Sequence, residues 1–207
     1  TIENNVLGTL NILNACEKNK VKKIIFASSL YAMSEQGGIY STSKLASEII
    51  IERFAVTKKI NFIVLRFGTV YGERANNFNS VKQILDSAVL QKKIYRNTPG
   101  NEERRYIHVN DVAKLCCKLI NNKHNNKYYN IMGRDKILVK DLLKLVKKEI
   151  PGLKLEFSKK DNRKYNYKTN PFTYKIRSGD LFKLKRYTNL QKGISKLIDE
   201  IKKTSKV

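Results

Sequence analysis

Two short runs of unbroken apolar side chains, Ile24-Ile25-Phe26-Ala27 and Phe62-Ile63-Val64-Leu65, constrain this chain more than anything else in it. Runs without polar alternation read as strands buried on both faces, the pattern of a parallel sheet covered by helices. The first strand is predicted over residues 22–28 and ends in the hydroxyls of Ser28 and Ser29. The second, over 60–66, continues through Phe67-Gly68-Thr69-Val70-Tyr71-Gly72 into a glycine-punctuated loop. Ligands of open α/β sheets gather outside strand carboxyl ends, so both ends are candidate walls of a site.

Between the strands lies Tyr40-Ser41-Thr42-Ser43-Lys44. A Tyr and a Lys four apart at a helix start share one face. A free phenol titrates near pH 10, and an opposite charge within roughly 4–6 Å lowers that value by about 1–3 units, towards the range where a phenolate serves as a base. Gly37-Gly38 supplies a turn before the helix, and Ser41, Thr42 and Ser43 are expected to cap it. From Tyr40 to about Thr57, Leu45, Ala46, Ile49, Ile50, Ile51, Phe54, Ala55 and Val56 cover more than one stripe of the helix. A second buried face is therefore expected, with Ile50, Ile51 or Phe54 turned to a partner.

Elsewhere, helical spacing predicts a helix over 3–19 through Val6, Leu10, Leu13 and Cys16, and another over 79–91 through Val81, Ile84, Leu85, Ala88 and Val89. Pro99-Gly100 marks a turn, and Asp111 can cap a helix over 112–120. A short strand over 128–132 precedes Gly133, and a helix over 141–150 stops at Pro151-Gly152. The polar, basic and aromatic stretch 158–174 has weak periodicity and reads as loop or disordered chain. A helix over 190–201 closes the sequence, with Ile194, Leu197, Ile198 and Ile201 on one face.

The 42 Lys and Arg against 18 Asp and Glu give a net charge of +24. Such a charge raises nucleic acid or an anionic membrane as partners. The lysines, however, are spread along nearly every segment instead of concentrated on one element, so a solvated basic surface is expected and nucleic acid is disfavoured. Three cysteines, Cys16, Cys116 and Cys117, have neither disulfide-framework nor zinc-ligand spacing; a reducing cytoplasm fits them, and no metal site is expected. No apolar run reaches the roughly 18 residues of a membrane span, so no membrane partner is expected.

Five blocks in order carry a likeness beyond these patterns: Asn5-Val6-Leu7-Gly8-Thr9-Leu10-Asn11, Phe26-Ala27-Ser28-Ser29, Tyr40-x-x-x-Lys44, Leu65-Arg66-Phe67-Gly68-Thr69-Val70-Tyr71-Gly72, and Arg104-Arg105-Tyr106-Ile107-His108-Val109-Asn110-Asp111-Val112-Ala113. With Tyr129-Asn130-Ile131 they cover about two thirds of the chain, which resembles the extended short-chain dehydrogenase/reductase family in its NAD-dependent nucleotide-sugar epimerase/dehydratase branch. The likeness begins inside the family pattern. No Gly-x-x-Gly-x-x-Gly turn for a cofactor pyrophosphate occurs in the sequence, so a fragment lacking the first half of a Rossmann fold is expected. Residues 1–75 would be the later half of the NAD(P)-binding Rossmann domain, a doubly wound parallel sheet. Residues 76–207 would be mainly a small α/β substrate lobe, with 106–131 partly returning to the sheet.

The resemblance implies an NAD(P)-dependent enzyme, NAD being favoured over NADP, that oxidises a nucleotide-linked sugar transiently to a keto-sugar. By the same likeness Tyr40 is the base, Ser29 hydrogen-bonds the reacting oxygen, and Lys44 tunes Tyr40 and holds the nicotinamide ribose. The backbone at Phe67 and Gly68 would lie near the nicotinamide, with Ser29, Thr69 and Arg104 on the substrate. Asn5 matches an Asn near the family's active site. Departures are the short Leu30–Ile39 loop, Thr69 where Asn is usual, and Arg105 where Asp is usual. A homodimer through helices 3–19 and 40–57 is expected. Two other readings stay open: an NAD(P)H-consuming nucleotide-keto-sugar reductase and a non-catalytic polyanion-binding protein.

Overall fold

A parallel sheet of four strands, drawn from both halves of the chain, is the largest sheet of a computed structural model that describes residues 1–34, 37–160 and 180–204. In chain order the helices are α1 (Gly8–Lys18), α2 (Gly38–Lys58), α3 (Ser80–Gln91), α4 (Val109–Leu119), α5 (Val139–Glu149) and α6 (Leu190–Thr204). The first six strands are β1 (Lys23–Ser29), β2 (Asn61–Phe67), β3 (Thr69–Tyr71), β4 (Lys93–Arg96), β5 (Glu103–Arg104) and β6 (Tyr106–His108). The last four are β7 (Lys127–Ile131), β8 (Ile137–Leu138), β9 (Lys154–Phe157) and β10 (Asp180–Leu181). The architecture is α/β, as the strand pattern predicts, and the stretch 158–174 lies largely outside the described residues.

The chain divides into two compact units. The first holds Thr1–Gly68, Lys114–Ile131 and the described part of 165–183. Its sheet runs β1-β2-β7-β10, every pair parallel. Register pairs Lys23 with Asn61 through Ser29 with Phe67, which lines up the carboxyl ends of β1 and β2. On the sheet Leu13, Ile24, Ile51, Ala55, Ile60, Phe62 and Val64 form one core. Ile51 is 1% exposed, so it belongs to that core and does not face a partner; Ile50 and Phe54 are half-buried against the same cluster. The apolar surplus of α2 that does reach solvent is Ile39, Ile49 and Val56.

The second unit holds Thr69–Ala113, Met132–Lys164 and Leu184–Val207, of which 161–164 and 205–207 are not described. Its core is built by α3, α5 and α6, with Leu85, Leu142, Leu143, Val146, Ile194 and Ile198 among the buried side chains. Parallel pairs β3–β6 and β4–β9 and the antiparallel pair β5–β8 frame it. Asn79 caps α3 by accepting from the N–H groups of Val81 and Lys82, both at 3.1 Å. Gly133 is required by close approach, because a Cβ there would fall 1.9 Å from the carbonyl oxygen of Tyr106. Asp111 does not cap α4, which starts at Val109; its carboxylate accepts the Thr188 N–H at 2.9 Å.

Candidate active site

The parallel register of β1 and β2 brings Ser29 and Phe67 side by side at the strand ends. Ser29 is buried and opens a short 3-10 turn over Leu30–Met33, where its Oγ accepts the Tyr31 N–H at 3.2 Å. Next to Phe67, the N–H of Gly68 donates to the Ile131 carbonyl at 2.8 Å, which ties the end of β2 to β7. Sequence-predicted Ser29, Phe67 and Gly68 thus share one end of one sheet.

Helix α2 delivers Tyr40 and Lys44. Its N-cap is Gly37, held at a φ of 113° that suits glycine, and no side chain caps the helix. The expected capping by Ser41, Thr42 and Ser43 does not occur, because those residues lie inside the helix and donate to carbonyls instead. Ser41 Oγ donates to Tyr31 and Ser34, Thr42 to Gly38, and Ser43 to Tyr40. Ser41 therefore ties the short loop to the helix. Tyr40, in the first turn, is 40% exposed, and it is not hydrogen-bonded to Ser29.

Lys44, one turn on, reaches back to the sheet: its Nζ donates to the Ala27 carbonyl at 3.0 Å and lies 5.0 Å from the centre of the Phe26 ring. Partial burial pushes the Lys44 ammonium below the usual lysine range, while the Glu48 carboxylate pulls it back up. An ammonium has three donors, and the Ala27 carbonyl takes one of them. Donors therefore remain for a polyhydroxylated group such as a ribose. This fits the nicotinamide-ribose end of a dinucleotide. The pyrophosphate end needs a glycine-rich turn that these 207 residues do not contain.

Sequence reasoning singled out Asn5 but not what it does. Residues Glu3–Leu7 form a turn of π-helix leading into α1, a wider turn of the kind that often marks functional sites. Asn5 Nδ2 donates to Ser43 Oγ at 2.9 Å, and Ser47 Oγ donates to the Asn5 carbonyl at 2.8 Å. Since Ser43 in turn donates to the Tyr40 carbonyl at 2.8 Å, the start of α2 is braced from the π-helical turn that precedes α1.

A second cluster was missed altogether. Glu48 and Arg66 are both fully buried and paired in a two-pronged geometry, with Nη2–Oε2 at 2.7 Å and Nε–Oε1 at 3.0 Å. Ser28 Oγ donates to the same carboxylate at 2.5 Å, and the guanidinium lies 4.8 Å from the centre of the Tyr128 ring. Tyr128 donates to Glu52, and burial pushes its phenol up to about 12. The signal that could have exposed the cluster is Arg66, the one charge in an otherwise apolar strand, together with a Glu one turn after Lys44.

Thr69 and Arg104 belong to the second unit. Thr69 pairs with Tyr106 in the β3–β6 ladder, and Arg104 pairs with Ile137 in β5–β8. The two adjacent arginines differ in commitment. Arg105 Nη1 donates to the carbonyls of Gly133 and Arg134, at 3.4 and 2.5 Å, whereas Arg104 Nη1 donates to its neighbour Glu103 alone, at 2.7 Å. Arg104 is thus the guanidinium with more donors to offer. Among the described residues no group of three His, Cys, Asp or Glu could hold a metal, and no helix is long and apolar enough to cross a membrane.

Comparison with known proteins identifies the family. The sequence model of the NAD dependent epimerase/dehydratase family matches residues 1–132. A provisionally named UDP-glucose 4-epimerase of Methanocaldococcus jannaschii is 31% identical over 165 residues, 70% of this chain and 53% of that protein. A dTDP-D-glucose 4,6-dehydratase of Dictyostelium discoideum is 23% identical over 153 residues, 62% of this chain and 35% of that protein. Among solved structures, the Thermotoga maritima UDP-glucose 4-epimerase with UDP-glucose superposes with a TM-score of 0.78 at 22% identity. It covers 99% of this chain and 71% of that one. The Bacillus anthracis dTDP-glucose 4,6-dehydratase with NAD gives 0.78 at 17% identity, with 99% and 70% covered. The chain spans about half or less of the length of these two sequence relatives.

Proposed function

Because the chain belongs to the NAD-dependent epimerase/dehydratase family, we propose that it carries the catalytic face of an enzyme that oxidises a nucleotide-linked sugar transiently and then epimerises or dehydrates it. The observation that supports this most is the placement of Lys44. A partly buried ammonium is bonded to the end of β1, one helical turn from an exposed phenol on the same face of α2.

In this reading Tyr40, as a phenolate whose charge the Lys44 ammonium one turn away offsets, takes the proton from a sugar hydroxyl and becomes a phenol, which gives the proton back when the keto-sugar is reduced. Ser29, whose Oγ accepts the Tyr31 N–H, keeps its own O–H to donate to the reacting oxygen. Lys44 directs its remaining donors to the nicotinamide ribose, and the backbone at Phe67 and Gly68 forms the wall beside the nicotinamide. NAD, when bound, takes up and gives back the hydride. In the second unit Arg104 offers its guanidinium to the phosphate oxygens of the nucleotide, and Thr69 offers a hydroxyl to the substrate. The pyrophosphate of the cofactor is assigned to residues outside these 207, and a homodimer through α1 and α2 is retained as part of the same reading.

The test is to incubate the complete enzyme with NAD and a panel of UDP- and dTDP-sugars and to follow products by NMR. Epimerised or 4-keto-6-deoxy sugar without net change in NADH is expected. Stoichiometric consumption of NADH in a parallel incubation with NADH and a nucleotide-keto-sugar, with no turnover in the first, would favour the reductase reading instead. No turnover of any nucleotide-sugar, together with tight salt-resistant binding of DNA, would leave the polyanion-binding reading standing.

A further inference from the structure

The Tyr40–Lys44 face of α2 has to be held at one rotation about the helix axis, and apolar burial helps to set that rotation only further along, at Ile51 and Ala55. Over the first three turns the buried side chains are Ser41, Ser43, Ser47 and Glu48, while Ile39 and Ile49 point to solvent. Apolar burial alone would favour turning the helix the other way. Over these turns it is polar contacts that tie the helix to the sheet, and the strongest of them is the pairing of Glu48 with Arg66.

Two features make this pair suited to the task. A planar carboxylate gripped by a planar guanidinium fixes distance and angle together, which packed methyl groups do not. Its location is also specific. Ser28 and Arg66 are register partners, and the next pair along the same ladder is Ser29 with Phe67. Glu48 bonds both Ser28 and Arg66, so it pins α2 to two adjacent strands one residue before the site. Lys44 and Tyr40 follow one and two turns earlier on that helix.

We propose that Glu48, through its clamp on Arg66 and Ser28, is a positioning residue that holds the Tyr40–Lys44 face of α2 against the ends of β1 and β2. The proposal rests on the catalytic reading of Tyr40 and Lys44. Buried ion pairs are weak contributors to stability, since apolar replacements of similar volume are often neutral, so a geometric role accounts better for two charges kept out of water. Around Lys44 the other elements present the Ala27 carbonyl and the Phe26 ring, and Glu48 is the charge that opposes the effect of burial on its ammonium.

The experiment uses this chain without substrate, so that it reads the clamp and not the reaction. Lys44 is followed by NMR of its side-chain 13Cε and 15Nζ while pH is raised, in the wild type and in Glu48→Gln. Loss of the carboxylate is expected to move the Lys44 titration to lower pH and to speed solvent exchange of its ammonium protons. A folded Glu48→Gln variant with an unchanged Lys44 titration and exchange rate would overturn the proposal. Where Glu48→Gln fails to fold, because Arg66 is left buried and unpaired, the double variant Glu48→Leu/Arg66→Met removes both charges. It is expected to fold while Lys44 loses its exchange protection. Retained protection in the double variant contradicts the clamp, and so does its failure to fold, which would make the pair a requirement of the fold as a whole. If the clamp holds but nucleotide-sugars are not turned over, the catalytic reading fails separately.

Discussion

The inner face of α5 is Val139, Leu142, Leu143 and Val146, all buried and all apolar, whereas the inner face of α2 over its first three turns is three serines and a glutamate. Both helices are well formed, and both are amply supplied with apolar residues. In α5 the apolar stripe and the buried face coincide, so hydrophobic burial both stabilises and orients the helix. In α2 they separate: hydrogen bonds to Asn5, Tyr31, Ser34 and Arg66 orient the helix start, and the apolar surplus is left partly in water. The helix that only packs is built from shape and area. The helix proposed to carry chemistry is built from directional contacts, which fix a hydroxyl and an ammonium more narrowly than area can.

Breaking each helix by its own means should show the contrast. Glu48→Leu alone leaves the Arg66 charge buried and uncompensated, and should cost about 3–5 kcal/mol in urea unfolding. Adding Arg66→Met should recover most of that loss. A double variant no more stable than the single would show that apolar packing cannot substitute for the pair. Leu143→Ala, at a fully buried position in α5, should cost about 2–5 kcal/mol through lost burial and the cavity left behind. No partner change should recover it unless volume is restored. A loss well under about 1 kcal/mol would mean that the second unit's core closes over the gap.

A smaller effect compares one tyrosine from each unit. Burial pushes Tyr128 up to about 12, with the Glu48 carboxylate adding to it, and pushes Tyr71 up to about 12, with Asp111 adding to it. A phenol in the unfolded chain titrates near pH 10. Between these values the folded state holds more protons than the unfolded, so the stability contributed by both groups is complete below about pH 10 and is lost as pH rises through 12. Absorbance titration of the phenols should show a late step worth two tyrosines, displaced to about pH 10 by urea. A single step for all tyrosines near pH 10 in the folded protein would remove the basis of this comparison.

The two kinds of helix also explain what was legible in the sequence. The strands were visible because Ile24–Ala27 and Phe62–Leu65 are unbroken apolar runs, and α3, α5 and α6 because their apolar residues recur with helical spacing. Tyr40 and Lys44 were visible because a four-residue spacing on a helix is a statement about one face. Their support was not. Pairing of Glu48 with Arg66 joins residues 18 apart whose proximity depends on the β1–β2 register, and Asn5 meets Ser43 across 38 residues. Hydroxyls placed by local pattern as caps turned out to be donors to carbonyls, buried at Ser41 and Ser43 and exposed at Thr42, because Gly37 already supplies the turn and all three lie inside the helix. Ile51, assigned by apolar count to a partner surface, went to the core because it lies, with Ala55, on the buried side of α2, which an apolar count does not distinguish from the exposed one.

Substitution of Tyr40 by Phe in the complete enzyme tests most directly whether this face of α2 is catalytic. The ring and its packing stay while the hydroxyl that moves the proton is lost. With binding of NAD and nucleotide-sugar measured by calorimetry and turnover by product NMR, Tyr40→Phe should keep both affinities and lower turnover by roughly 10²–10⁴, the range for a positioned acid–base group. Near-normal turnover of every nucleotide-sugar accepted by the wild type would contradict the assignment of Tyr40 as the base.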